Sequence, residues 1–440
     1  TYWGTFSLQH RGQESAGIAV LSPERKILVN KGMGLVTEAL NVREEKDRIG
    51  TAALGHVRYS TTGESSIANA QPLLMHTRFG VLAIGQNGNV VNAGILRKNL
   101  QRMGAVFQST TDSEVLGHLV AKSTAATLKE ALLESLPLLQ GGFAFTVLSD
   151  EGLYGARDPH GIRPLVLGRT DQKAGVLASE TCALDAIGAQ TVREVDPGEL
   201  VLVNDAGVDS TFYVDKDKRP KRALCAFEVI YFARPDSVMD GQSMHSGRRR
   251  LGQMLAEEAP AQADVVVGVP DSSLPAAMGF AEASGLPFDF GLVKNRYIAR
   301  TFIAPNQTQR EASVSLKVSA VKEVVAGKRV VLVDDSLVRG TTSRRIVQLL
   351  REAGAKEVHM RISSPPYTDP CYYGIDTSRA AELMARARSI EDITRQVGAD
   401  SLAYLSVAGL EKALGPHGWC TACFGAGYPV PIPESEDEER

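Results

Sequence analysis

Two rhythms of apolar and polar positions divide this chain. In the first half, short alternating or apolar stretches at residues 17–20, 27–30, 52–57 and 81–85 are separated by Gly and Asn turns, which predicts a layered, β-rich domain with helices. Residues 92–103 and 112–122 carry helical spacing, the second segment capped by Thr110, Thr111 or Asp112, and Thr1 to Gly4 read as a helix already under way. In the second half the rhythm changes. Val330 to Val333 form an unbroken β-branched and aliphatic run, the pattern of a strand buried on both faces of a parallel sheet. It ends in Asp334 and Asp335, passes through the small, hydroxyl-bearing loop Ser336 to Thr342, and enters a segment with Ile346, Leu349 and Leu350 on one helical face. Residues 225–237 and 264–269 read as further buried strands, and 246–258 as a helix whose Arg248, Arg249 and Arg250 mostly face solvent. Strands alternating with helices predict a parallel α/β sheet. Asp215 to Arg222 is charged, proline-marked and without apolar period, so the boundary is placed there, giving domains 1–220 and 221–440.

Length agrees with two domains, since 440 residues exceed a comfortable single core. A net charge of −3 speaks against broad binding to nucleic acid or to anionic membranes. No apolar run approaches a bilayer span and the amino end lacks a charged-then-apolar leader, which predicts a soluble cytoplasmic protein. Five cysteines are too few and too uneven for a disulfide framework in a chain this long. Glu434 to Arg440, almost wholly charged, is expected to be disordered.

The carboxylate-bearing turn is where chemistry is expected first. Loop N–H groups and hydroxyls at a helix N-terminus can cradle a phosphate, with Gly340 removing the Cβ where backbone must come close. Carboxylates at the carboxyl end of a strand can hold ribose hydroxyls or Mg²⁺. A second strand-to-helix turn, Pro270-Asp271-Ser272-Ser273, could hold pyrophosphate and, through Ser272, the same ion. Lys294, Arg296 and Arg300 fall in the cationic and aromatic stretch KNRYIARTFI, suited to a lid that closes over a diphosphate and excludes water. The string VVLVDDSLVRGTT resembles the phosphoribosylpyrophosphate (PRPP) motif of the type I phosphoribosyltransferases. The resemblance implies that Asp334 and Asp335 hold the ribose and Mg²⁺, that Ser336, Arg339, Gly340, Thr341 and Thr342 anchor the 5-phosphate, and that Lys294, Arg296 and Arg300 meet the diphosphate.

Three short strings carry the chemistry of the first half. Arg58 in GHVRYSTT is a strand-end guanidinium suited to a carboxylate, Asn87 and Gly88 in the hairpin-like turn GQNGN could donate to an oxyanion, and Asp112 in TTDSE could meet an ammonium. Taken singly they also read as a surface ion pair, an Asn-Gly turn and a helix cap. Together they describe a pocket for an α-amino acid. HRGQESAG, GHVRYSTTG, GQNGNVVN and TTDSEVL, in this order, resemble the glutaminase domain of amidotransferases that use an N-terminal cysteine nucleophile. That resemblance covers residue 1 to about 220 and implies a layered αββα fold, with Arg58 and Asp112 gripping glutamine, Asn87 and Gly88 as oxyanion hole, and Arg11 shaping the pocket. This sequence departs from the pattern at its start: it opens on Thr1 and has no cysteine before Cys182. The expectation is a missing amino-terminal strand, with no glutamine hydrolysis if the sequence is complete as it stands.

Cys225, Cys371, Cys420 and Cys423 form a second-half set of four thiols, with Cys182 outside it. Spacing alone leaves zinc, a cubane iron–sulfur cluster and unlinked buried thiols open. CYYGID and WCTACF resemble the iron–sulfur-containing branch of the glutamine PRPP amidotransferases, which implies a structural [4Fe–4S] cluster on these four residues. The resemblance to this family extends over nearly the whole chain. It implies a two-site enzyme whose glutamine-derived ammonia displaces pyrophosphate from PRPP, with Mg²⁺ as cofactor, purine nucleotides as feedback inhibitors, Tyr59 as a candidate relay between sites and a homotetrameric assembly. An ammonia-only PRPP aminase and a catalytically silent nucleotide-binding regulator are the alternative expectations.

Overall fold

A computed structural model describes residues 1–40, 50–59, 63–295, 318–377 and 380–433. Arg296, Arg300, the remainder of the expected lid and the tail from residue 434 lie outside the described residues.

The first half is built in layers because its strands alternate in the β period. A six-stranded sheet in the order β12-β11-β7-β6-β5-β4 contains β4 (Leu73–Thr77), β5 (Gly80–Val90), β6 (Gly141–Ser149), β7 (Gly152–Arg157), β11 (Glu199–Asn204) and β12 (Gly207–Phe212). On one face Leu82, Ile84, Phe143, Phe145 and Val147 meet the helices Ala93–Arg102, Glu114–Lys122 and Leu128–Ser135. Ala83, Ala144 and Leu148, one residue out of phase, point to the other face and pack against a second layer. That layer is two separate three-stranded sheets. One has the order β2-β1-β3, from β1 (Ser15–Leu21), β2 (Ile27–Met33) and β3 (Ala52–Arg58); the other has the order β10-β8-β9, from β8 (Val166–Arg169), β9 (Gly175–Ala178) and β10 (Gln190–Glu194). Tyr2–Ser7 and Thr181–Asp185 cover it as outer helices.

The second half is organised by a parallel sheet of order β16-β19-β20-β21, from β16 (Val265–Gly268), β19 (Arg329–Asp334), β20 (Glu357–Ile362) and β21 (Ser401–Tyr404). Val331 and Val333 face the helices Met244–Glu258 and Leu274–Ser284, while Val330 and Leu332 face Ile346, Val347 and Leu350 of the helix Thr341–Glu352. Burial on both faces is what the unbroken apolar run requires. Three pairs of short strands complete the half: β13 (Leu224–Cys225) with β22 (Trp419–Cys420), β14 (Val238–Met239) with β15 (Gln242–Ser243), and β17 (Leu292–Lys294) with β18 (Val318–Ala320). No described helix is long and apolar enough to cross a membrane.

Four expectations about local structure need correction. Gly85 to Asn89 do not form a hairpin turn; they continue β5, which stays paired with β6 from Ala83 opposite Leu148 to Val90 opposite Gly141. The helix expected to be capped by Thr110, Thr111 or Asp112 instead begins at Glu114 with Ser113 as N-cap and no side-chain cap bond. Residues 225–237 are not one strand: after Cys225 the chain turns into a π-helix, Glu228–Phe232. Arg248 does not face solvent; it is 2% exposed and donates to the carbonyls of Val229 at 2.7 Å and Ala233 at 2.6 Å.

A polar cluster ties the halves near the charged segment 215–222. Glu194 pairs with Arg157 at 3.0 Å and accepts from the Asp240 amide, while Arg222 pairs with Asp240. Burial and the neighbouring Asp240 push the Glu194 carboxyl up to about 7. Its folded-state value therefore exceeds its unfolded value, the folded chain binds the extra proton, and stability falls as pH rises between about 4.5 and 7. Glu194→Gln is expected to have a higher urea midpoint than the parent chain at pH 8, the two curves converging as pH falls towards 4.5; parallel curves across that range would refute the assignment.

Candidate functional site

The first site is a cavity of about 830 Å³ between the two β layers, and it gathers Arg11, Arg58, Tyr59, Asn87, Gly88 and Asp112 around one space. β3 and β9 line it along their whole length. Both are terminal strands of their sheets, so each turns an unpaired backbone edge towards the gap. The polar groups are held rather than loose. Asp112 is buried and accepts through Oδ2 from Gln86 Nε2 at 2.7 Å and from the Val90 amide at 2.8 Å; burial nevertheless raises its carboxyl above the usual range. Arg58 is 3% exposed, pairs with Glu14 and donates to the Glu64 carbonyl at 3.1 Å. His56 shares a 2.9 Å hydrogen bond with the Gln86 carbonyl; burial first, and then the Arg58 charge, lower its imidazole to about 4. The ring is therefore neutral near pH 7. Among the described residues Asn87 Nδ2 is buried without a partner, an amide donor standing ready for an acceptor.

Behind this cavity a buried ion network crosses to the second half. Arg11 donates to Glu180 at 2.5 Å and forks onto Glu228 at 2.6 and 2.9 Å; Arg163 adds a 3.0 Å bond to Glu228. Both carboxylates are fully enclosed. Burial opposes charge on Arg11, but Glu228 and Glu180 outweigh it and hold the guanidinium cationic. Burial also pushes Glu180 up, and Arg11 and His10 overcome it, leaving that carboxyl well below its usual range. The Arg11 guanidinium stacks 4.5 Å from the ring centre of Phe232, the last residue of the π-helix, and Tyr59 lies 6.3 Å from the same ring.

The second site sits at the carboxyl end of the parallel sheet, where open α/β folds bind ligands. Asp334 and Asp335 end β19. Ser272 Oγ donates to Asp335 at 2.5 Å, Ser273 Oγ to Asp334 at 3.2 Å, and Ser336 Oγ to Asp335 at 2.7 Å. Burial, and then the charge on Asp335, push Asp334 up to about 8; burial raises Asp335 as well. Two carboxylates and three hydroxyls form a set of hard oxygen donors, the chemistry that suits Mg²⁺. Gly340 precedes the helix Thr341–Glu352 with φ +74, a left-handed turn that favours glycine, and Thr341 and Thr342 open that helix. Arg339 donates to Glu382 at 2.6 Å, and Lys294, at the end of β17, pairs with Asp271 at 2.7 Å. Arg248 holds the π-helix that ends at Phe232 through the carbonyls of Val229 and Ala233.

The four thiols of the second half collect in one apolar cluster, where Cys225 lies opposite Cys420 in the β13–β22 register and Cys371 packs on its rim. All are free, and those of Cys225, Cys420 and Cys423 are raised first by burial and then by nearby groups that include one another and Cys371. Among the described residues no three His, Cys, Asp or Glu side chains are placed to hold a metal ion as they stand.

Sequence reasoning missed the roles of Glu228 and Arg248. Glu228 had left a trace, as the lone carboxylate in the apolar run CAFEVIYFA, where a buried charge calls for a buried partner.

Two family models match the chain. A glutamine amidotransferase domain matches residues 56–186 and a phosphoribosyl transferase domain residues 236–363. Fold and sites thus define a glutamine amidotransferase joined to a phosphoribosyltransferase in one polypeptide. The amidophosphoribosyltransferase of Synechococcus elongatus is 51% identical over 440 residues, covering 98% of this chain and 88% of the relative. That of Bacillus subtilis is 51% identical over 439 residues, covering 98% and 91%. The solved structure of the B. subtilis glutamine PRPP amidotransferase complexed with ADP and GMP superposes with a TM-score of 0.92 at 50% identity, over 99% of this chain and 95% of that one. The chain belongs to the amidophosphoribosyltransferase family.

Glu228 is the hub of the interface, and Glu228→Ala would strand two buried guanidinium groups. Loss of roughly 3–5 kcal/mol is expected in urea unfolding, the usual cost of breaking a buried pair from one side; a loss below about 1 kcal/mol would mean the network contributes little.

Proposed function

We propose that the two sites work in sequence, with named residues in each. As a member of its family the chain catalyses transfer of glutamine-derived ammonia to PRPP, giving 5-phosphoribosylamine and pyrophosphate, the first step of purine synthesis. The observation that carries the residue assignment is the shared position of Arg58, Asn87, Gly88 and Asp112 on one cavity while Asp334 and Asp335 end a buried parallel strand elsewhere.

In the cavity, Arg58 takes the α-carboxylate of glutamine and Asp112 its ammonium, with Arg11 backing the pocket. The unpartnered Asn87 amide, with the Gly88 N–H, receives the oxyanion as the side-chain carbonyl becomes tetrahedral. A cysteine thiol opening onto this cavity would attack the side-chain carbonyl and expel ammonia.

At the sheet end, Asp334 and Asp335 hold the ribose side of PRPP, and Ser336, Arg339, Gly340, Thr341 and Thr342 anchor its 5-phosphate at the helix start. Asp334, Asp335 and Ser272 would hold Mg²⁺, which when bound neutralises charge on the departing diphosphate. Lys294, at the end of β17, would meet that diphosphate; Arg296 and Arg300, assigned the same role, lie outside the described residues. As it leaves, positive charge develops at C1, and the acidic pair stabilises the ribose for attack by ammonia. Tyr59 and Phe232, packed together between the sites, line the ammonia route. Purine nucleotides carry the same ribose phosphate and compete for the same loop, which agrees with the ADP and GMP of the B. subtilis complex. A homotetramer and a cytoplasmic location complete the reading, with a boundary between the domains near residue 220.

Cys225, Cys371, Cys420 and Cys423 would hold a [4Fe–4S] cluster. A donor set of four thiols in an apolar cluster suits it. Bound there, the cluster would cross-link Cys371 to Cys225 and to the Cys420–Cys423 pair, a structural role.

Asn87→Ala is expected to cut glutamine hydrolysis by about 100- to 1,000-fold with ammonia-dependent synthesis intact, and Asp335→Asn to do the reverse. Assays of glutamate release and of ammonia-dependent synthesis check both; equal loss in both assays for either variant would sink the division of labour. Metal analysis of anaerobically purified chain should return about four irons per chain. One zinc in their place would replace the cluster with a zinc–thiolate site, and no metal at all would remove it.

A further inference from the structure

The glutamine cavity is not built by the first half alone. Gly374, in the loop that follows Cys371, lines it together with Phe232. Its backbone has φ +108, and a Cβ placed there would lie 2.8 Å from Cα of Gly88 and 3.0 Å from a terminal nitrogen of Arg163. Gly88 is equally confined on its other side, where a Cβ would lie 2.0 Å from the carbonyl oxygen of Gly142. The backbone of residue 88 is therefore clamped between β6 and a loop from the other half.

Hydrogen bonds hold that loop against β5. Asn89 Nδ2 donates to the Tyr372 carbonyl at 2.8 Å, and Arg163 Nε donates to the Tyr373 carbonyl at 2.7 Å. Tyr373 is itself anchored, its hydroxyl donating to the Val430 carbonyl at 2.5 Å and accepting from the Val430 amide at 3.1 Å. Arg163 passes from this loop to Glu228, so one side chain runs with its Cγ beside Gly88 and bonds both the loop and the interface hub.

We infer that loop 371–374 of the second half sets the position of the Gly88 N–H, and that Gly374 is a positioning residue for glutamine hydrolysis. The inference rests on the oxyanion role of Asn87 and Gly88 proposed above. An oxyanion donor works only when aimed to within a few tenths of an ångström, and glycine at 374 is the residue that lets the loop press against residue 88 without displacing it. The arrangement makes the first half-reaction depend on a correctly docked second half.

The test uses the full-length protein. Gly374→Ala is expected to lower kcat for glutamine hydrolysis on the order of 100-fold, the typical cost of a shift near 1 Å, with KM for glutamine changed less than about threefold. Ammonia-dependent synthesis should stay near the parent value. Asn89→Ala, which removes the bond to the Tyr372 carbonyl, should move kcat in the same direction by about tenfold, and it carries the test should Gly374→Ala fail to fold. Unchanged kcat, a rise in KM alone, or equal loss of both nitrogen-donor activities would overturn the inference. A parent protein that hydrolyses glutamine while Asn87→Ala is as active would overturn the reading beneath it instead.

Discussion

The fold hinges on a carboxylate with no access to water. Glu228 belongs to the second half, and its two oxygens are satisfied by Arg11 and Arg163 of the first. Removing three charges from solvent is costly, and the cost is offset only while every partner is present in good geometry. The halves therefore cannot drift apart gradually: any opening leaves an unpaired charge in an apolar wall. Their relative placement is held sharply by an interaction that adds little net stability.

That sharpness matters because the two sites need opposite surroundings. Acyl transfer needs donors aimed at developing negative charge in a walled cavity, and Asn87 Nδ2, buried and unpartnered, fits that need. Transfer at a ribose carbon needs carboxylates close to developing positive charge, and at Asp334 and Asp335 burial raises both, with the charge on Asp335 adding to the rise of Asp334. A single pocket could not serve both. The π-helix Glu228–Phe232 separates them, its first residue in the ion network and its last lining the cavity, while Arg248 fixes its carbonyls from the other side. A π-turn widens the helix locally and commonly marks a site with work to do.

Much of this architecture was legible before any coordinates. The apolar run at 330–333 gave a doubly covered strand because no other element buries four consecutive branched residues, and the carboxylates after it had to lie at the strand's end. Asn87 and Asp112 were also found as candidates, but the local form around them was misjudged. Asn-Gly favours a turn in isolation, yet pairing of β5 with β6 on both sides outweighs it and leaves only the left-handed φ of Gly88 as a remnant. Asp112 looked like a helix cap until burial gave it better donors in Gln86 and Val90.

Long-range partners were the part that could not be read. Arg248 looked solvated because two more arginines follow it, and only the bend of residues 228–232 supplies the carbonyls that bury it. The sequence by itself determined which segments are strands, which turns carry carboxylates, hydroxyls and amides, and which thiols form a set, because period, propensity and loop chemistry act over a few residues. Tertiary structure alone decided that Glu228 meets Arg11 across 217 positions and that Gly374 rests on Gly88, since such contacts depend on how whole layers dock and leave no periodic trace in the chain.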